Sequence, residues 1–178
     1  MLTFSDSPTQ AMEKWILFIS HQWLDTAHPD PTSVQYCAVC TAIARIAEHH
    51  KVAFPNMHVW LDYHSIPQFN GVSVGVGVSA VASLVNYAMY STAMCIIAPA
   101  ATHAGGHLCN FASYMSRGWC RAEQAGYMLK NGTKNLYIMD ETGFRSPEPK
   151  SMENYEAFFP MDGTFTCCKW QHRGGVLC

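Results

Sequence analysis

"WILFIS", residues 15–20, decides how this chain folds. It is a short, apolar, β-prone run with no polar alternation and a serine at its end, the pattern of a strand covered on both faces. Such strands belong to parallel sheets held between helices, and the downstream segments alternate to match. After a loop with two prolines, Thr32 and Gln35 read as a capping box. Val34, Cys37, Cys40 or Thr41, Ala44 and Ala47 then recur at helical spacing up to His49 and His50. "MHVWLD" (57–62), between Pro55 and Pro67, reads as a second strand, residues 78–90 as a second helix and "AMCIIA" (93–98) as a third strand. Ser116 is placed to cap a third helix running to Lys130, ended by Asn131 and Gly132, and "NLYIM" (135–139) follows as a fourth strand.

This alternation with short connections predicts an α/β fold: a flavodoxin-like three-layer sandwich around a central, mostly parallel sheet of four or five strands. The length suits one domain over 1–178, with a core at about 15–140 and an irregular C-terminal extension over 141–178. "GTFTCC" (163–168) offers an edge strand within that extension. No internal repeat is visible.

Composition narrows the class of function. Charged residues make up 13% of the chain, well below the roughly 25% of typical soluble domains, so part of the surface is expected to meet a partner. The formal charge is -2 and no basic run tracks a phosphate backbone, which argues against nucleic acid. The first residues lack a secretion signal, so the eight cysteines read as reduced thiols of a cytoplasmic protein and the sequon at Asn131 as idle. No Asp, Glu, Lys or Arg occurs between Asp62 and Arg117, yet Ser73, Gly75, Gly77, Ser79, Ser83 and Asn86 interrupt the apolar residues. No run reaches the roughly 18 apolar residues of a membrane span, and no membrane association is expected.

In open parallel sheets the ligand crevice lies beyond the carboxyl ends of the strands. The first strand delivers Ser20, His21, Trp23 and Asp25 to that edge, and the second delivers Asp62, Tyr63 and Ser65. The helix after the third strand brings Trp119 and Glu123, four apart on one face, with Cys120 beside them. Glu123 is the candidate for chemistry; the plainer alternative is a helix-start carboxylate paired with Arg117 or Arg121. Trp119 reads equally as a packing residue, and Ser20, His21 and Asp25 as groups that fasten the first loop. Cys120 near a helix start is a weaker candidate nucleophile. Cys37 and Cys40 are expected to be small buried thiols, and "GVGVSA" (75–80) mimics a dinucleotide fingerprint without emerging from a strand. The nine histidines scatter without a helical pair, so no metal site is expected.

Three stretches carry a family resemblance over about residues 15–140. "FISHQWLD" (18–25) resembles the opening motif of Toll/interleukin receptor (TIR) domains in its bacterial form, with an Asp four residues after the His. "VWLD" (59–62) is similar to the family's second-strand motif, and "SRGWCRAE" (116–123) to the Ser-x-Trp-Cys-x-x-Glu stretch of plant-type members. The strings "SHQWLDTAHPDP" and "WLDYHSIPQ" also look like a protist branch of TIR-like proteins. Gly118 lengthens the Ser-to-Trp spacing by one residue, "DYHSIPQ" replaces the usual loop, and no Arg follows the first strand as in plant forms.

The resemblance implies a glycohydrolase that cleaves the nicotinamide–ribose bond of NAD, its substrate, giving nicotinamide and linear or cyclic ADP-ribose in signalling or defence. No separate cofactor is implied. Glu123 matches the family's catalytic glutamate; Ser20, His21, Trp23, Asp25, Asp62, Tyr63, Trp119 and Cys120 would contact the dinucleotide. The pyridinium departs as a neutral molecule without a general acid, so one carboxylate suffices to stabilise the growing oxocarbenium charge. Two alternatives accompany this expectation. One is a non-catalytic module that self-associates into a homo-oligomer through TIR–TIR contacts around residues 63–71 and 78–90; the other is nucleoside deoxyribosyl transfer.

Overall fold

The computed structural model describes residues 14–26, 28–66, 83–147 and 159–165. A five-stranded sheet forms its centre: β1 (Trp15–His21), β2 (Met57–Leu61), β3 (Ala93–Ala98), β6 (Leu136–Asp140) and β7 (Gly143–Arg145). In space they run β2-β1-β3-β6-β7. The first four are parallel, and β7 returns antiparallel beside β6. A separate two-stranded hairpin joins β4 (Ala101–Thr102) to β5 (Leu108–Cys109).

Helices cover both faces. α1 (Val34–His50) lies on one, while α3 (Leu84–Met89) and α5 (Gly118–Asn131) pack together on the other. Two single-turn helices, α2 (Asp62–Ser65) and α4 (Phe111–Met115), sit beyond the carboxyl ends of β2 and of the β4–β5 hairpin. Among the described residues no helix is long and apolar enough to cross a membrane.

The unbroken apolar run of β1 now has its reason. Period two sends Leu17 and Ile19 into the α1 layer with Ala38, Ala42 and Ile46, and Ile16 and Phe18 into the α3–α5 layer with Leu136 and Tyr127. Phe18 stacks on Trp60 at 4.4 Å, and Trp60 on Tyr87 at 5.6 Å. The alanines of α1 let its backbone approach the sheet. Gly126 does the same where α5 meets α3: a Cβ there would lie 2.5 Å from Val85 Cγ1 and 2.9 Å from the Val85 carbonyl oxygen.

Several local expectations change. The Thr32–Gln35 box does not form: Ser33 precedes α1 at φ 60°, and Asp30 Oδ2 instead accepts the Tyr36 N–H at 2.7 Å, freeing Gln35 for the interior. Ser116 does not cap the third helix. Asn110 and Ser113 form a capping box that starts α4, the Ser116 hydroxyl donates to the Ser113 carbonyl, and Arg117 precedes α5. Gly132, at φ +57°, follows α5, as its sequence position suggests.

The sheet's fifth strand is Gly143–Arg145, made by a two-residue reversal in which Asp140 accepts from Thr142 and pairs with Arg145 at 2.5 Å. Thr164 of the expected edge strand makes one isolated parallel bridge to Arg117 at the start of α5, and residues 166–168 lie outside the described residues. Of the helix expected over 78–90, residues 84–89 are helical, and 78–82 lie outside the described residues with "GVGVSA" and loop residues 67–71. Cys37 and Cys40 are exposed, correcting the expectation of buried thiols, because Ala38, Ala42 and Ile46 take the buried face of α1.

Candidate functional site

Alternation along β1 splits its last two residues between the layers. Ser20 faces α5 and His21 faces α1, so one strand end feeds two neighbouring polar clusters.

In the first, the Ser20 hydroxyl donates to Glu123 Oε2 in a short, buried hydrogen bond. The Tyr114 hydroxyl lies 2.5 Å from the Ser20 oxygen. Glu123 is 7% exposed and Ser20 and Tyr114 are fully enclosed. Burial raises the Glu123 carboxyl to about 8, with the Asp62 charge adding; the Ser20 hydrogen bond, His21 and Arg117 oppose the rise. No ion pair reaches Glu123 among the described residues. Arg121 spends its guanidinium on the carbonyls of Met115 (2.6 Å) and Phe159 (3.2 Å), so the simple paired-carboxylate alternative fails for it.

The second cluster centres on Asp62. Its Oδ1 faces His21 Nε2 at 2.9 Å, and its Oδ2 accepts Trp23 Nε1–H at 2.7 Å. His21 Nδ1 lies 2.8 Å from Gln35 Oε1, while Gln35 Nε2 donates to the Gln22 carbonyl at 2.7 Å. That last bond fixes the amide orientation: Gln35 presents an oxygen to Nδ1, Asp62 presents one to Nε2, and both imidazole nitrogens must donate. His21 is therefore an imidazolium. Burial alone would lower its pKa, but Asp62 and Gln35 outweigh it and the net shift is upward. Burial likewise pushes Asp62 up, and the bonds from His21, Trp23 and the Tyr63 N–H bring it below the usual carboxylate range.

The remaining predicted residues divide. Tyr63 packs edge-on to Trp23 at 5.7 Å and joins the Asp62 cluster. Asp25 does not: its Oδ1 accepts the N–H and hydroxyl of Thr26, so it fastens its own turn. Trp119 packs against the α3–α5 core and edge-on to Phe165 at 5.4 Å, a bracing residue. Cys120 is buried, and burial with the nearby Glu123 charge pushes its thiol well above the ordinary range, which removes it as a nucleophile at neutral pH.

Three members of these clusters carried no sequence signal. Tyr114 comes from a helix of one turn, Gln35 reads from sequence as part of a cap, and Gln22 holds α4 through Asn110 and Ser113. Only the fold brings them together.

A cavity of about 210 Å³ lies between α1, the loop after β1 and the end of β2, with His21 and Tyr63 in its wall and Glu123 outside it. A larger one, about 270 Å³, opens at the opposite end of the strands, between α3, α5 and the start of β6, and contains none of the predicted residues. The first is the relevant one, because it shares the carboxyl edge of the sheet with both clusters. Among the described residues no three His, Cys, Asp or Glu side chains gather as a metal site. Set against known protein families, curated proteins and solved structures, the chain matches none.

Proposed function

We propose that this chain is a TIR-like domain of flavodoxin-like architecture that cleaves the nicotinamide–ribose bond of NAD, with Glu123 as the catalytic carboxylate. The observation that carries the reading is the position of Glu123: buried at the carboxyl edge of a parallel sheet, hydrogen-bonded to the last inward residue of β1, and in no ion pair among the described residues. The strand order β2-β1-β3-β6 supports the architecture.

A carboxyl held neutral by burial is primed to ionise when a cation arrives. The pyridinium of NAD is such a cation, and on ionising Glu123 stabilises positive charge developing on the ribose. The anomeric carbon–nitrogen bond breaks, its electron pair leaves with nicotinamide, and water adds to the ribosyl carbon and loses a proton. Removing the carboxylate costs the barrier on the order of 3 kcal/mol. Because Glu123 is closed off, a sugar reaches it only after surrounding groups shift. Self-association is the proposed trigger, and turnover then rises with protein concentration.

A second reading has one observation in its favour. A carboxyl neutral at pH 7 is a general acid, which the leaving base of an uncharged nucleoside needs and NAD does not. The experiment incubates concentrated protein with NAD, and separately with a deoxynucleoside plus a second free base, and follows nicotinamide release and base exchange for wild type and Glu123→Gln. Nicotinamide release abolished in the variant supports NAD cleavage; base exchange supports the transferase; neither, with concentration-dependent oligomers, leaves the scaffold.

A further inference from the structure

We propose that Tyr114 is a positioning residue for Glu123: its phenol commits the Ser20 hydrogen to the carboxylate, so that α4 and β1 together stabilise the ionised form. The inference rests on the reading above for the use made of Glu123. Its physical basis is the hydrogen-bond chain itself, and its first test involves no substrate.

The available hydrogens fix the direction of the chain. An ionised Glu123 has none to give, so its bond to Ser20 is made with the serine hydrogen. The Ser20 oxygen also lies 2.5 Å from the Tyr114 oxygen, and with the serine hydrogen spent only the phenol can close that contact. The Cys120 carbonyl, 3.5 Å from the phenol, loses on distance. A neutral Glu123 can instead give its own hydrogen to Ser20, which reverses the chain and leaves the phenol hydrogen with that more distant carbonyl. The forward chain ends on a full charge, and charge-assisted bonds are roughly twice as strong as neutral ones, so Tyr114 favours the ionised carboxyl.

The surroundings keep Tyr114 in this role. Burial, the Cys120 thiol and the Glu123 charge push its phenol well above the ordinary range, with Cys95 of β3 adding, so it remains a donor wherever Glu123 titrates. Burial and Asp62 of α2 raise the Glu123 carboxyl, Ser20 and His21 of β1 and Arg117 before α5 lower it, and burial keeps Cys120 protonated. α4 is tied to the loop after β1: Gln22 donates to the Asn110 carbonyl at 3.1 Å and accepts from the Ser113 hydroxyl at 3.0 Å, one residue before Tyr114.

The test follows the Glu123 carboxyl carbon by NMR from pH 6 to 10 in wild type, Tyr114→Phe, Ser20→Ala and the double variant. Tyr114→Phe is expected to raise the midpoint by about 0.5–1 pH unit. It should have no effect once Ser20 is alanine, because the phenol acts only through the serine. An unmoved midpoint in Tyr114→Phe, or the same rise in the Ser20→Ala background, overturns the proposal. Circular dichroism checks that each variant folds. If Tyr114→Phe does not, wild type decides: the Tyr114 ring carbon that bears the hydroxyl should shift at the Glu123 midpoint, and a ring indifferent to that titration overturns the chain. Nicotinamide release is measured on the same samples. A midpoint that moves in protein releasing no nicotinamide keeps the chain and sinks the reaction, while release with an unmoved midpoint sinks the chain and leaves NAD cleavage standing.

Discussion

Ser20 and Glu123 stand 103 residues apart in the chain and share one buried hydrogen bond that ties the end of β1 to α5. The bond satisfies a carboxyl that burial holds at about 8, so much of its cost to folding falls at high pH. The folded pKa lies above the ordinary 4.5, so the folded state binds the extra proton between those values and stability falls as pH rises through that window. Wild type is expected to be less stable at pH 9 than at pH 5 by on the order of a few kcal/mol from this group. Glu123→Gln should shrink that difference in denaturant titrations; an unchanged difference would clear Glu123 of responsibility.

The same group sets opposite pH–rate profiles for the two reactions. If ionised Glu123 stabilises the ribosyl cation, NAD cleavage climbs with pH and levels off near 8, or lower where the bound pyridinium favours the carboxylate. A general acid gives a rate that declines above that point. Single-turnover nicotinamide release between pH 6 and 9 separates the two.

Tyr114→Phe removes a hydroxyl 2.5 Å from Ser20 without changing the ring's volume. It should cost about 1 kcal/mol in equilibrium unfolding, the net contribution of a buried hydrogen bond. A cost near zero would mean that Ser20 serves Glu123 alone.

Asp62→Asn leaves the His21 imidazolium without its counter-charge. The raised His21 contributes stability that is fully present below its ordinary value and lost as pH climbs through the folded one; the lowered Asp62 contributes above its ordinary value and is lost as pH falls. The variant should bring the His21 titration down, visible in ring NMR shifts, and destabilise the fold at pH 6 by about 2 kcal/mol, discounted because the Asp62 side chain is 23% exposed. A His21 titration that stays where it was would refute the charged pair.

Gly126→Ala drives a methyl against Val85 of α3, including its carbonyl oxygen. A destabilisation of about 1–3 kcal/mol is expected. Adding Val85→Ala should recover only part of it, because the backbone contact remains; full recovery would place the clash on the side chain alone.

What could be read in advance follows from local physics. An apolar run without alternation has to be covered on both sides, and capped, periodic segments between such runs have to be helices, so residues 15–140 pointed to an α/β sheet before any coordinates. Topology alone carried Glu123, Ser20 and Asp62 to one edge, since parallel strands share the end at which their loops emerge. Hydrogen bonds between distant residues leave no such trace. Nothing periodic marks Gln35 as the group that orients His21, or Tyr114 as the partner of Ser20. The exposure of Cys37 and Cys40 depended on which stripe of α1 met the sheet. Sequence by itself determined the layers and the edge where chemistry belongs, because hydrophobic burial and strand direction are written along the chain. Only the tertiary structure decided which polar atoms meet there and in which protonation state, because charge, burial and hydrogen-bond partners are properties of the space between segments.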